Sequence, residues 1–252
     1  MIETTRRLCL GLLIGMLSFA GVIEGQAKDA GLLGQRNTFG VMAEYSNDSS
    51  HIILGDAENV KLGAVGLQYQ RRLIANRHLV WSYAMEFRPA IVESIPTAIF
   101  KTVQTLPSSQ TFANAPELVT RCVTFSKPYT YTDSVTGTVY AGTVSESCGR
   151  ESTYAQGFSP FGMRLNLRPR SRLQPSFSSH EGYIFSTQPL PISSAGSFNF
   201  CFEVGFGLEY YRTQHSSMRF EYLVQHYSNH NTAYANPGVD NGLFKLTYTF
   251  GR

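Results

Sequence analysis

The sequence predicts an all-β fold: an eight-stranded antiparallel transmembrane β-barrel with one long extracellular loop. Three observations predict it. Apolar and polar residues alternate through most of the chain, the connections between the alternating segments are long and short in turn, and the composition is unusual for a soluble protein. Charged residues make up only 15% of the 252 residues and aromatic residues 13%, whereas about 25% charged residues is ordinary. The chain has ample apolar surface to bury and is not disordered.

The N-terminus has the pattern of a secretory signal peptide. Two arginines precede an apolar run from Leu8 to Ile23, and the small residue Ala27 follows it. This pattern predicts a signal peptide over residues 1–27, which leaves residues 28–252 as a single barrel domain. An uncleaved membrane anchor is the alternative. No later apolar run reaches the roughly 20 residues that a spanning helix needs.

The mature chain contains eight segments with a period of two residues, which is the period of a strand with one apolar face and one polar face. Near the C-terminus, for example, Phe244, Leu246 and Tyr248 alternate with Lys245 and Thr247. Several segments reach the roughly 9–11 residues of a tilted membrane strand. In chain order, the predicted strands cover residues 39–45, 65–69, 79–88, 161–168, 173–185, 198–211, 220–228 and 244–250.

The connections between these strands alternate in length. Outer-membrane barrels with an even number of strands have short periplasmic turns and longer outside loops. With the N-terminus in the periplasm, all the long connections fall outside the cell. The long ones are about 46–61, 91–156, 187–197 and 229–239, and the short ones are 75–77, 169–171 and 213–216.

A soluble eight-stranded ligand barrel is the main rival fold, because its alternation looks the same with the two faces reversed. Aromatic residues at the strand ends of the apolar face favour the membrane barrel. The predicted lumen face also carries acids and bases in equal number, as a narrow lumen requires, because an unpaired buried charge is costly. These residues are Glu86, Glu203, Glu209 and Glu221 with Arg88, Arg164, Arg168 and Arg219.

The composition excludes some functions and leaves three exported cysteines. The net charge of +3 comes from 21 basic and 18 acidic residues. The basic residues form no cluster in the sequence, and nucleic-acid binding is therefore not predicted. No CxxC motif or His/Cys cluster indicates a metal site, and no cofactor is predicted. Cys122 and Cys148 flank one polar stretch and are predicted to form a disulfide, which export permits. Cys201 lies in a strand and is predicted to be a free, buried thiol.

One short segment carries residues of a hydrolase type. His226 and Ser228 are two apart on the seventh strand and so share its lipid-facing side, roughly 7 Å apart between Cα atoms. A neutral His can activate a Ser nucleophile. After the Asn-Pro-Gly turn at 236–238, Asp240 falls on the same face of the eighth strand and can orient the imidazole. Asn229 could donate to an oxyanion. Alternatively, these polar residues simply lie at the membrane interface.

The same segment resembles a known family. His-Tyr-Ser-Asn at 226–229 and Asn-Pro-Gly-Val-Asp at 236–240, followed by a terminal aromatic strand, resemble the lipid A 3-O-deacylases of the PagL type. The resemblance covers about residues 161–250. It implies an eight-stranded outer-membrane barrel that hydrolyses the 3-O-linked acyl ester of lipid A with a Ser-His-Glu triad on its lipid-facing surface.

Carried over by motif, the resemblance implies a role for each site residue. His226 corresponds to the base, Ser228 to the nucleophile, Asn229 to an oxyanion donor and Asp240 to the acid, where the family has the longer Glu. The implied partners are lipopolysaccharide in the outer leaflet and membrane lipid, without a cofactor. The loop at 91–156 is far longer than the family uses. A non-catalytic outer-membrane barrel, structural or adhesive, is the alternative, and the sequence does not set the oligomeric state.

Overall fold

The computed structural model describes residues 31–251. All the regular secondary structure elements in this part of the chain are β-strands. The predicted signal peptide at 1–27 lies outside the described residues. Within 31–251, no helix has the length and apolar character needed to cross a membrane. The strands are β1 (Asn37–Ser46), β2 (Lys61–Ala75), β3 (Leu79–Leu106), β4 (Gln110–Ala113), β5 (Glu117–Leu118), β6 (Phe125–Thr132), β7 (Val139–Leu167), β8 (Leu173–Ser186), β9 (Phe198–Tyr211), β10 (Ser216–Ser228) and β11 (Val239–Gly251).

Eight of these strands form a closed ring, which confirms the predicted fold class. Each of β1, β2, β3, β7, β8, β9, β10 and β11 pairs antiparallel with the next. The last strand then pairs with the first, from Thr38 opposite Gly251 to Tyr45 opposite Phe244. Closure gives every ring strand a partner on both sides, so the backbone groups are satisfied as lipid requires.

The barrel is apolar outside and polar inside. On β10, Met218, Phe220 and Tyr222 are each about half exposed, whereas Arg219 and Glu221 between them are fully buried. A soluble ligand barrel would show the reverse arrangement, with its apolar face inward. Because a surface of exposed aromatic and aliphatic side chains is stable only against lipid, this arrangement identifies a transmembrane barrel and excludes the soluble one.

Paired charges fill the lumen, as the equal number of acids and bases predicted. Arg88 contacts Glu44 at 2.8 Å and Glu203 at 2.6 Å. A second group joins Arg219 to Glu221 at 2.9 Å. Buried charges are tolerated when each has a close partner of opposite sign. The two Arg88 pairs also join β3 to β1 and to β9 across the interior.

One residue of the predicted lumen set is in a different place. Arg168 is exposed and has a left-handed backbone with φ of 56°. Strand β7 ends one residue earlier, at Leu167, so the alternation of faces stops before Arg168. The prediction that Arg168 faces the lumen was therefore wrong, because it extended a strand into its turn.

The region predicted as a loop at 91–156 consists largely of strands. β3 and β7 stay paired from Leu79 opposite Leu167 to Leu106 opposite Ala141. β2 accompanies β3 only as far as Ser94. Beyond that point, the ribbon of β3 and β7 leaves the ring, with β4 and β5 along β3 and β6 along β7. We call residues 96–150 the arm.

The alternation of apolar and polar residues does not predict the strands of the arm, because both faces of the arm are largely exposed. Most residues of β6 and of the first half of β7 are exposed or half-buried, so no apolar face marks them as strands. A disulfide joins Cys122 to Cys148, and Cys201 is a buried free cysteine. Both predictions about the thiols are confirmed.

Candidate active site

His226 and Ser228 lie at the end of β10, on the outer side of the barrel. The side chains before and between them, Gln225 and Tyr227, are buried inside, so the alternation of the strand turns His226 and Ser228 outward. His226 Nε2 lies 3.3 Å from Ser228 Oγ. The side chain of His226 is 18% exposed, and the pair is therefore accessible from the surroundings of the barrel.

Asp240 completes a chain of three polar side chains. It pairs directly opposite His226 in the register of β10 and β11, and its Oδ1 lies 2.6 Å from His226 Nδ1. Directly opposite residues of antiparallel strands have neighbouring side chains, so the short Asp side chain reaches the imidazole without a bridging water. The turn at 236–238 allows this register, with Gly238 in a left-handed conformation at φ of 44°.

The second oxygen of Asp240 is held by the connection between β1 and β2. Asp240 is fully buried, although its position on β11 faces outward, because this connection covers it. Its Oδ2 accepts four backbone hydrogen bonds. The donors, at 3.0, 2.5, 2.9 and 2.9 Å, are Ile52, Ile53, Leu54 and Gly55. Four N–H dipoles aimed at one oxygen stabilise the charged carboxylate.

This arrangement assigns the protons of His226. A carboxylate only accepts hydrogen bonds, so the Asp240 contact requires the proton on Nδ1 of His226. The unprotonated Nε2 is then the acceptor for the Ser228 hydroxyl, which is the arrangement of a general base and its nucleophile. No local pattern in residues 52–55 indicated this support, because the two partners are more than 180 residues apart in the sequence.

Asn229 is engaged in the turn that follows β10. Its side-chain Nδ2 donates to the Ala235 carbonyl at 2.6 Å, and its backbone N–H donates to Asn236 Oδ1 at 2.9 Å. The residue is 1% exposed. Asn229 therefore orders residues 229–236 beside Ser228, and one of its two amide protons is already used there.

A second cluster lies in the lumen and has the residue types of a metal site. Glu86, His180 and Glu203 place ligand atoms within 4.8 Å of one another. Protein cations already neutralise these acids, because Lys245 Nζ lies 2.5 Å from Glu86 and Arg88 lies 2.6 Å from Glu203. The cluster is therefore part of the lumen charge network.

Comparison with known proteins supports the resemblance found in the sequence. The family model described as Lipid A 3-O-deacylase (PagL) matches residues 135–249. The matched range contains the whole of β7, β8, β9 and β10, together with the four site residues His226, Ser228, Asn229 and Asp240. The resemblance to this family is thereby confirmed, and with the inside-out barrel it supports a location in the outer membrane. A search of curated proteins found no match.

Two solved structures are similar to this chain at low identity. Neisserial surface protein A is 10% identical, with 86% of this chain and 97% of that chain covered and a TM-score of 0.39. The outer membrane protein OprG from Pseudomonas aeruginosa is 11% identical, with 88% and 99% covered and a TM-score of 0.39.

Proposed function

We propose that the protein is an outer-membrane esterase that hydrolyses the 3-O-linked acyl chain of lipid A. The observation that carries this proposal is the hydrogen-bonded chain of Asp240, His226 and Ser228 on the outer wall, at the end of a strand. An ester of a lipid in the outer leaflet lies against this wall, with its acyl chains along the barrel. The family match over residues 135–249 supports the same substrate.

The proposed reaction has two halves. Ser228 Oγ attacks the ester carbonyl while His226 Nε2 takes the hydroxyl proton, and a tetrahedral oxyanion forms. As the C–O bond to the sugar breaks, His226 returns the proton to the departing 3-hydroxyl, which leaves an acyl group on Ser228. Water, deprotonated by His226, then attacks the acyl-enzyme and releases the fatty acid and the free serine.

The other two residues stabilise charge in this scheme. Asp240 holds the imidazolium that forms on His226 and keeps the required tautomer, without taking the proton itself. Asn229 is the proposed oxyanion donor through its second amide proton, since Ala235 uses the first. Donors of this kind are worth about 10²–10³ in kcat.

Mass spectrometry of lipid A tests the proposal. Lipid A from cells that express the protein should lose one hydroxyacyl chain, and Ser228→Ala should abolish this loss while leaving a folded, heat-modifiable barrel. Ser216→Ala is the matched control, because Ser216 lies on the same face at the other end of β10. A purely structural or adhesive barrel would leave lipid A intact in every sample, and full activity in Ser228→Ala would remove the esterase assignment.

A further inference from the structure

The connection between β1 and β2 exposes three large apolar side chains beside the candidate site. Ile52, Ile53 and Leu54 are 45%, 42% and 69% exposed. We call these three residues the lip. In water, such a cluster is unfavourable, because apolar surface gains stability when it leaves water. A flexible connection would be expected to turn these side chains inward.

The lip cannot turn inward, because the connection is fixed on both sides of it. Ser49 and Ala57 are buried and form β-bridges to the start of β11, with Asn241 and Val239. Ser49 Oγ also donates to the Ala57 carbonyl at 2.9 Å, which closes the base of the connection. The exposure of the lip is therefore a property of an anchored segment.

The lip also lies directly against the catalytic candidates. A Cβ added to Gly55 would lie 2.5 Å from the backbone nitrogen of Asp240, and one added to Gly238 would lie 3.0 Å from His226 Cε1 and 3.4 Å from the Leu54 carbonyl oxygen. Only glycine fits at such approaches. The segment thus reaches the site through backbone atoms, which leaves its apolar side chains pointing away from Asp240.

Below the lip, the outer wall is continuously apolar. Tyr222 covers Gly242, the next outward position of β11 after Asp240. Phe244 follows with 49% exposure, and Tyr45 on neighbouring β1 is 55% exposed. The lip therefore extends the lipid-facing surface of the barrel up to the level of the candidate triad.

We propose that the lip enters the acyl-chain layer of the outer leaflet and contacts the acyl chain of the substrate. The segment then has two roles: its side chains bind lipid, and its backbone N–H groups position Asp240. The same anchored backbone that exposes the lip side chains therefore also holds Asp240 in the triad. The contact with the acyl chain of the substrate rests on the proposed function, whereas the entry of the lip into the membrane does not.

Fluorescence quenching tests the membrane contact without any catalysis. The chain has a single Trp, so Trp81→Phe gives a silent background for Leu54→Trp in vesicles whose phospholipids carry brominated acyl chains. Phe206→Trp, on the lipid-facing wall at 70% exposure, and Val135→Trp, in the arm at 91% exposure, are the two references. We expect bromolipid quenching of Leu54→Trp close to that of Phe206→Trp. Quenching like that of Val135→Trp would overturn the proposal, whatever the activity.

Kinetics test the substrate contact. The double variant Ile53→Ser with Leu54→Ser keeps every backbone donor to Asp240 but removes apolar surface. We expect kcat/KM on lipid A in vesicles to fall about 10-fold or more, and kcat/KM on the short soluble ester p-nitrophenyl butyrate to fall clearly less. An equal fall on both esters, or none on lipid A, would overturn the acyl-chain role.

Two glycine variants separate the roles of backbone and side chain. Gly55→Ala must displace the segment that holds Asp240, so it should lower kcat on both esters. Gly63→Ala is the control, because a Cβ there meets nothing within 4 Å. If the wild type cleaves neither ester, the proposed function is wrong, and the quenching experiment alone decides whether the lip enters lipid.

Discussion

At the scale of single residues, the two oxygens of Asp240 have different partners. Oδ1 contacts His226, and Oδ2 accepts the four N–H groups of residues 52–55. Neither oxygen can exchange roles with the other without breaking several hydrogen bonds. The carboxylate therefore fixes the imidazole more firmly than a single contact with a mobile side chain would.

Asp240→Asn should disable the proposed catalysis while keeping the size of the side chain. The amide oxygen must face the four N–H donors, which turns the amide NH₂ toward His226 Nδ1. Nδ1 then becomes an acceptor and Nε2 carries the proton, so Nε2 cannot accept from Ser228. We expect kcat on lipid A to fall by about 10²–10⁴, as for the corresponding change in serine proteases. A kcat within a few-fold of the wild type would show that Asp240 does not select the tautomer.

Asp240→Glu is the companion variant, since the resembling family carries Glu at this place. A longer side chain would push the buried carboxylate into the segment of residues 52–55, which already lies so close that a Cβ on Gly55 would be 2.8 Å from Asp240 Cγ. We therefore expect lower kcat in Asp240→Glu. A kcat equal to that of the wild type would show that residues 52–55 move to accommodate the longer side chain.

At the scale of the strand, the outer face of β10 should show a depth-dependent cost for charge. Tyr222 is the central residue of β10, whereas Val224 lies two residues closer to the end that carries Ser228. Tyr222→Arg should cost about 2–4 kcal/mol of unfolding free energy, and Val224→Arg less. Urea unfolding in lipid vesicles measures both. The reverse order would place the middle of the membrane nearer to the candidate site.

The disulfide should stabilise one part of the arm and not the barrel. The bond between Cys122 and Cys148 closes a loop with a sequence separation of 26 residues, and such a loop can contribute about 3 kcal/mol. In the double variant Cys122→Ser with Cys148→Ser, trypsin should cut faster after Arg121, whose side chain is 64% exposed. Heat-modifiability of the barrel should be unchanged.

Cys201→Ala is the control for the disulfide, because Cys201 is a buried free thiol on a ring strand. It should leave the rate of cleavage after Arg121 unaltered. Equal rates in the double variant and the wild type would mean that strand pairing alone orders the arm.

At the scale of the whole molecule, the barrel closure and the connection lengths set which end faces outward. The arm and the candidate site lie at the same end of the barrel. β3 leaves the ring just after Ser94, which pairs with Lys61 at the start of β2. The connection that holds Asp240 leads into this same end of β2. That end faces the outside if the periplasm holds the short turns. The candidate triad is then at the outer leaflet, where lipid A is found.

Surface proteolysis tests this topology. Trypsin added to intact cells should cut the arm, at Arg121 or nearby, and should spare the arginines of the turn at 168–172. Cells opened by osmotic shock are the control, since both regions are then accessible. Cleavage of intact cells confined to residues 168–172 would invert the barrel and place the candidate triad in the inner leaflet.

Alternation along the chain was enough to predict the eight strands of the ring, their faces and the outward position of His226 and Ser228. These are local properties, because alternation with a period of two fixes which side chains share a face, and residues two apart on a strand are always neighbours. The pairing of Asp240 with His226 was also predictable, because the two strands that carry them are consecutive and pair as a hairpin. Equal numbers of acids and bases predicted a charged lumen without giving its partners.

What surrounds those residues depends on contacts between distant parts of the chain. Ring closure pairs the first strand with the last and so brings residues 52–55 to Asp240. No local sequence pattern encodes a contact between residues so far apart in the chain. Periodicity did not reveal the arm because, beyond Ala98, neither of its faces is buried. Arg168 was misplaced because a turn, and not the alternation, decides where β7 ends. Each of these features depends on which backbone segments meet in space, and that is fixed by the closed barrel as a whole.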